Sequence, residues 1–291
     1  MEFDYCTIKM LRDEGLTVTE LPDSRARDLI RLAGRMINRI TDQWFAPVVG
    51  RFKVDGRGTP FAHLDNLIPI PLLNTVETGG VGGEDFEVVD ADDYVHERGK
   101  RIVEMIGATA RFPRTPLGVT LDGAFAWLED LKDVTTAVTA PVASGATDVP
   151  VASTTGFRVG DQVIFGNEAV MVSEIPSPIL LKFDPLEFAI ASGATARTLG
   201  RTPLEIRRAC ILIVNDRLAK ISEDDAAIIE QDIQSRIVSE SIEGYSYSLA
   251  APSDEKKAGT ESGGGQNTSG NAAADDLLSG FVTPVLYLGY V

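Results

Sequence analysis

Histidine and cysteine are nearly absent from this chain of 291 residues; each occurs only twice. His63 and His96 have no second ligand at metal-binding spacing, so neither a zinc site nor a histidine-based triad is expected. Cys6 and Cys210 stand far apart in the sequence, and neither has a second cysteine at ligand spacing. They are read as two small, partly buried side chains rather than a disulfide. No stretch reaches the ~18 consecutive apolar residues of a membrane helix, so no membrane partner is expected. The opening MEFDYCTIKM lacks the basic-then-apolar pattern of a secretory signal, which predicts a protein made and kept in the cytoplasm. There is no G-x-S-x-G nucleophile elbow, and the glycine-rich TGGVGGEDF lacks the third glycine and the lysine of a phosphate-binding loop. Basic residues are also scarce: 27 Lys and Arg stand against 43 acids, a formal charge of −16. That balance argues against general nucleic-acid binding, which needs cations along the phosphate backbone. It leaves two readings open. One is a surface kept soluble by self-repulsion, high-salt adaptation included; the other is a channel that DNA passes without sticking.

What is present falls into segments of different period. LPDSRARDLIRLAGRMINRITDQWF predicts a helix starting near Asp23, with Leu29, Ala33, Met36, Ile40 and Trp44 as its apolar stripe and Pro47 as its stop. Arg25, Arg27, Arg31, Arg35 and Arg39 are read as a solvated face, with a partner-facing row as the alternative. From Arg51 to about Thr120 the period becomes two. RFKVDGRGTPFAHL reads as two strands around an Asp55-Gly56 turn, FEVV as a strand, and YVHERGKRIVEMI as a hairpin turning at Arg98-Gly99. GVTLDGAFAWLED begins as a strand and ends on Trp127. The acids of EDFEVVDADD are read as a solvated loop, because they lack the glycine and closing glutamate of a calcium loop.

Residues 134–200 are rich in Val, Thr, Ala and Gly and read as short strands of a small all-β barrel or sandwich. ASGAT occurs at 143–147 and again at 191–195, read as similar turns at either end of one module. Helix returns at Thr202-Pro203-Leu204-Glu205, a capping-box spacing, with Leu204, Ile211, Val214, Leu218 and Ile221 as its stripe. Ser222-Glu223-Asp224-Asp225 predicts the cap of another helix, and SIEGYSYSL an extended segment. The tract 251–276 has the composition of a flexible linker. DLLSGF is a short helix candidate, and the apolar VTPVLYLGYV that follows calls for a partner.

The ordered set of segments resembles the head–tail adaptor (connector) family of tailed phages and related archaeal tailed viruses. YCTIKMLRDEGLT and the helix SRARDLIRLAGRMINRITDQWFAP resemble the family's entry and first long helix. FKVDGRGTPFAHLDNLIPIPLLNTVETGGV, DYVHERGKRIVEMIG and RFPRTPLGVTLDGAFAWLE resemble its strands, hairpin and Gly-x-Phe-x-Trp-like element. IRRACILIVNDRLAK and SESIEGYSYSL resemble its second long helix and the segment after it. The main departure is the β module between Trp127 and Pro203, inserted where two core elements approach each other.

The resemblance implies an α+β fold: a helical bundle with a β-hairpin sheet, carrying the inserted β module and an extended C-terminal arm. It divides the chain into an adaptor core at 1–133 and 201–250, the module at 134–200, a tether at 251–276 and a portal-binding arm at 277–291. It implies a structural virion protein at the neck, assembled in the host cytoplasm, and not an enzyme. Its partners would be copies of itself in a ring, commonly twelve-fold, the portal protein, and the next neck or tail protein. DNA would be met only in passage. No cofactor, metal or catalytic residue is expected. The interface candidates are Tyr245, Tyr247, Phe281, Val285, Leu286, Tyr287, Leu288 and Tyr290, because alternating aromatic and apolar residues in extended segments suit contacts. Two rivals come from other classes: a surface or virion protein whose β module binds a glycan or host ligand, and an enzyme working through acidic side chains. Truncation after Leu249 is expected to leave a folded subunit that fails to dock.

Overall fold

Alternating apolar and polar residues over 48–125 and 134–201 set the architecture. A computed structural model of the chain describes residues 3–64, 67–79, 86–107, 110–219 and 268–282. Within them the chain is mostly β: three sheets, one of them a half-barrel, with few helices. The expected helical bundle is therefore corrected. Helices α1 (Ile8–Asp13), α2 (Asp23–Thr41), α3 (Leu204–Ala219) and α4 (Ala272–Ser279) form no bundle of their own. Three apolar clusters among the described residues are built largely from strand residues and the turns between them. The physical reason is supply: the long strands have inward-facing Val, Leu and Phe for two separate cores, whereas α2 offers one narrow stripe.

The first sheet has the order β1-β7-β3-β4, from β1 (Val48–Arg57), β7 (Arg114–Phe125), β3 (Leu72–Thr78) and β4 (Glu87–Val88). β7 is its spine, pairing antiparallel with β1 on one side and β3 on the other. The Asp55-Gly56 turn expected from sequence is a bulge instead. β1 runs straight through it, and its register against β7 slips between Val54 and Gly56. A side chain at Gly56 would lie 1.9 Å from the carbonyl oxygen of Pro113, so only glycine fits. Asp55 accepts a hydrogen bond from the Leu117 amide at 2.8 Å and ties the bulge to the neighbouring turn. A small sheet of β2 (Phe61–Ala62), β6 (Val103–Met105) and β5 (Tyr94–Val95) closes this half, its hairpin turning at Gly99 with φ +77°.

The half-barrel has the order β8-β13-β10-β11-β12-β9. Its strands are β8 (Val134–Ala137), β9 (Asp148–Pro150), β10 (Asp161–Phe165), β11 (Glu168–Ser177), β12 (Leu180–Phe183) and β13 (Thr195–Arg201). The sheet curls until its edge strands meet at a bridge between Val138 and Val151, around a core including Val149, Val163, Val172, Leu181 and Phe183. The two ASGAT turns flank another bridge, Val142 to Ile190. In each, an alanine N–H donates to the alanine carbonyl three residues earlier and the glycine takes a positive φ, +86° at Gly145 and +82° at Gly193.

The two halves are fused along a seam. The entry and exit of the half-barrel lie side by side, since Glu129 and Arg201 exchange backbone hydrogen bonds of 2.9 and 3.1 Å. Ala124, Ala126 and Leu128 of the first half pack with Ile164 and Leu199 of the second.

On α2 the buried stripe is Ala26, Leu29, Ile30, Ala33, Gly34, Ile37 and Thr41, rotated from the predicted one so that Met36 and Ile40 are only half-buried. Asp42 ends the helix in the left-handed region, five residues ahead of Pro47. On α3 the buried residues are Ile206, Ala209, Cys210, Ile213 and Val214, whereas Leu204 is exposed. Thr202 does not cap α3 with its hydroxyl. It donates to the Phe45 carbonyl at 2.8 Å and accepts from Gln162 at 2.9 Å, joining the end of the α2 segment, α3 and β10.

Candidate functional site

Of the predicted interface residues, the described structure contains Phe281; Tyr245, Tyr247, Val285, Leu286, Tyr287, Leu288 and Tyr290 lie outside the described residues, as does the helix predicted from Ser222. Phe281 is half-buried against the body. Its ring meets Phe45 edge-on at 5.3 Å between centroids and Trp127 at 5.4 Å. Trp127 in turn lies under the Arg101 guanidinium at 4.7 Å, and its amide donates to the Trp44 carbonyl at 2.6 Å. Phe281 thus closes an aromatic patch where the β7 exit meets the end of the α2 segment.

The element that delivers Phe281 is α4. It begins at Ala272, inside the tract read from composition as tether. Asn271 caps it by accepting from the Ala274 amide at 3.1 Å, and Asp275 accepts from the Ser269 amide at 2.7 Å. Ala274 and Leu278 are completely buried, and the helix packs on α2. The sequence signal was present as DLLSGF, but nothing in it said where the helix docks.

A second feature is a cleft of about 240 Å³ where α1 and α2 face β11 and the loop after β12. Arg27 and Arg31 line it beside Asp4, Glu168, Asp184 and Glu187. The arginines are engaged: Arg27 donates to the Pro185 carbonyl, and Arg31 to Glu187. Asp184 accepts from the Ile8 amide at the start of α1 at 2.8 Å. Its pKa is pushed up to about 6, chiefly by burial, with Asp4 and Asp23 adding repulsion and Arg27 opposing them. This cleft joins α1 and α2 to the half-barrel, and two of the five arginines read as a solvated face serve that junction. Cys6 lines it as well. Its sulfur lies 3.3 Å from that of Cys210, so the structure brings together two residues that the sequence kept apart.

A third feature is the outer face of the small β5-β6-β2 sheet. Phe61 and Val95 both pair with Glu104, and Ile102 and Ile106 continue the same alternation. These four apolar residues are 42% to 53% exposed, and the exposed Glu104 stands between Phe61 and Val95, so the face is mixed rather than apolar throughout.

Among the described residues, no group of three or more His, Cys, Asp or Glu side chains could hold a metal ion. His63 Nδ1 lies 2.9 Å from the Leu64 carbonyl and His96 Nε2 2.8 Å from that of Ile70, so both rings bind backbone. No described helix is long and apolar enough to cross a membrane. No family model, curated protein or solved structure matches the chain.

Proposed function

We propose that this chain is a structural virion protein, a head–tail adaptor subunit that assembles with copies of itself into a ring and joins the portal to the tail. The observation that carries the reading is the anchoring of α4. An otherwise polar tract ends in a helix fastened into the body through Ala274, Leu278 and Phe281, and the apolar run 283–291 follows at once. A fixed point of departure immediately before an apolar terminal segment suits an arm that reaches for a neighbour. The ordered resemblance of the segments supports the same role. So does the pairing of Glu129 with Arg201, which places the ends of 134–200 side by side as in a tolerated domain insertion. The net charge of −16 suits a ring that conducts DNA without binding it.

The structure changes the truncation that tests this. Ending the chain after Leu249 would remove the buried Ala274 and Leu278 as well as the arm, so the cut belongs after Val282. The full chain and the shortened one are each measured by native mass and by electron-microscope class averages, alone and mixed with the portal of the same virus. The reading expects a ring, free or on the portal, for the full chain, and an equally stable subunit that does not dock for the shortened one. A full chain that stays monomeric and ignores the portal would overturn it.

A further inference from the structure

Cys6 and Cys210 are 204 positions apart in sequence, yet their sulfurs approach to 3.3 Å, and both thiols are free and buried. Cys210 sits in α3, fixed by helical hydrogen bonds, whereas Cys6 lies in a bend just before α1. Bond formation requires the sulfurs to close to roughly 2.05 Å, a movement of about an ångström that a side-chain rotation on the irregular Cys6 segment can supply. Cys6 also lines the cleft between α1, α2 and the half-barrel, whose volume of about 240 Å³ admits a molecule of a few atoms.

We propose that Cys6 and Cys210 form a covalent modification site: an intramolecular disulfide made by a small peroxide that enters through this cleft. The Cys6 sulfur attacks one peroxide oxygen. The O–O bond breaks, and the leaving hydroxide takes up the thiol proton as water, leaving a sulfenic acid on Cys6. The Cys210 sulfur then attacks the Cys6 sulfur. The S–O bond breaks, the S–S bond forms, and the departing hydroxide carries off the Cys210 proton as a second water. Two electrons pass from the sulfurs to the peroxide. The hydrogen bond to Cys210, and after it burial, favour the protonated thiol on Cys6, as do the carboxylates of Asp184 and Asp4. The protonated thiol is a weak nucleophile, so the bond forms slowly and needs sustained exposure to oxidant.

The bond ties two parts that the reduced fold holds only by packing and hydrogen bonds. Ahead of Cys6, Phe3 lies against α2, where a side chain on Gly34 would meet the Phe3 carbonyl oxygen at 2.2 Å. Tyr5 donates to Asn38 and accepts from the Phe45 amide at 3.2 Å. Oxidation locks this segment to α3. The proposal does not depend on the adaptor reading, since it concerns a chain of any function.

The test treats the purified full chain, natively folded, with hydrogen peroxide. Intact mass, titration of thiols in denaturant and peptide mapping under non-reducing conditions follow. The expected result is loss of both titratable thiols and of two hydrogens per chain, with a single Cys6–Cys210 linked peptide. The melting temperature should rise and return to its starting value on treatment with dithiothreitol. Cys6→Ala should abolish the linked peptide. Two retained thiols after treatment, or linkage between chains in place of the internal one, would overturn the proposal. The map on the unaltered chain decides the matter even where Cys6→Ala does not fold.

Discussion

Leu278→Ala tests whether α4 holds the C-terminal segment in place. Leu278 is completely buried on a helix of eight residues. A helix that short is well below the ~12–15 residues needed to persist alone in water, so α4 exists because of what it buries. Removing a buried leucine side chain costs ~3 kcal/mol where the site cannot collapse. At about 1.4 kcal/mol per factor of ten, that raises the detached population roughly 100-fold. The segment 268–282 is not a rung of any sheet, so the loss should fall on local detachment rather than on global unfolding. Hydrogen exchange read by mass spectrometry checks this directly. Amides of α4 should exchange about 100-fold faster, while those of β7 and β10 and the melting temperature stay near their original values. Leu278→Met, which conserves volume, should cost below about 1.5 kcal/mol and serve as the control. Unchanged α4 exchange in Leu278→Ala, or exchange that rises equally in the sheets, would refute the argument that this helix is a separately held anchor.

Three further perturbations follow from the same structure. Asp184 has a folded pKa of about 6 against an ordinary 3.8, so the folded state binds its proton more tightly than the unfolded state does. Its ionisation therefore lowers stability as pH rises from about 4 to 6, by up to ~3 kcal/mol. Asp184→Asn should flatten that slope and stabilise the protein above pH 6, as read by denaturant melts across pH; an unchanged slope would show that Asp184 ionises freely in the fold. Asp161 is completely buried, and its Oδ2 is held by Lys132 at 2.5 Å and by the Arg158 amide at 2.7 Å. Lys132→Met strands that carboxylate and should cost ~3–5 kcal/mol by chemical denaturation, part of it recovered by adding Asp161→Asn; a cost near zero would mean water already serves the carboxylate. Gly34→Ala puts a methyl 2.2 Å from the Phe3 carbonyl oxygen and should cost about 1–3 kcal/mol, with increased protease cleavage ahead of Cys6. Full stability and no new cleavage would mean that the Phe3 segment yields freely.

Local elements were legible where their causes are local. The α2 start near Asp23, the hairpin at Gly99, the paired ASGAT turns and the short helix in DLLSGF all follow from glycine conformation, capping and short-range period. Readings failed where a distant partner competes for the same residue. Asp55-Gly56 carries a strong turn signal, but β7 pairs with β1 on both sides of it and turns it into a bulge. Thr202 has capping-box spacing, yet its hydroxyl goes to Phe45 and Gln162, which lie 157 and 40 positions away. The α2 stripe was read from spacing alone, and contact with the chain from Phe3 to Tyr5 turned its buried face toward Ile30, Gly34 and Ile37.

The expectation of a helical bundle failed for a related reason. Periodicity locates helices, but it does not say whether they pack on one another or on sheets. The sequence by itself determined the acid surplus, the scarcity of histidine and cysteine and the turn glycines, because each depends on composition or on residues within a few positions. Only the tertiary structure decided that β7 is the spine of a sheet, that α4 is an anchor inside a polar tract, and that Cys6 meets Cys210. Those outcomes depend on contacts between residues far apart in the chain, whose geometry no local pattern encodes.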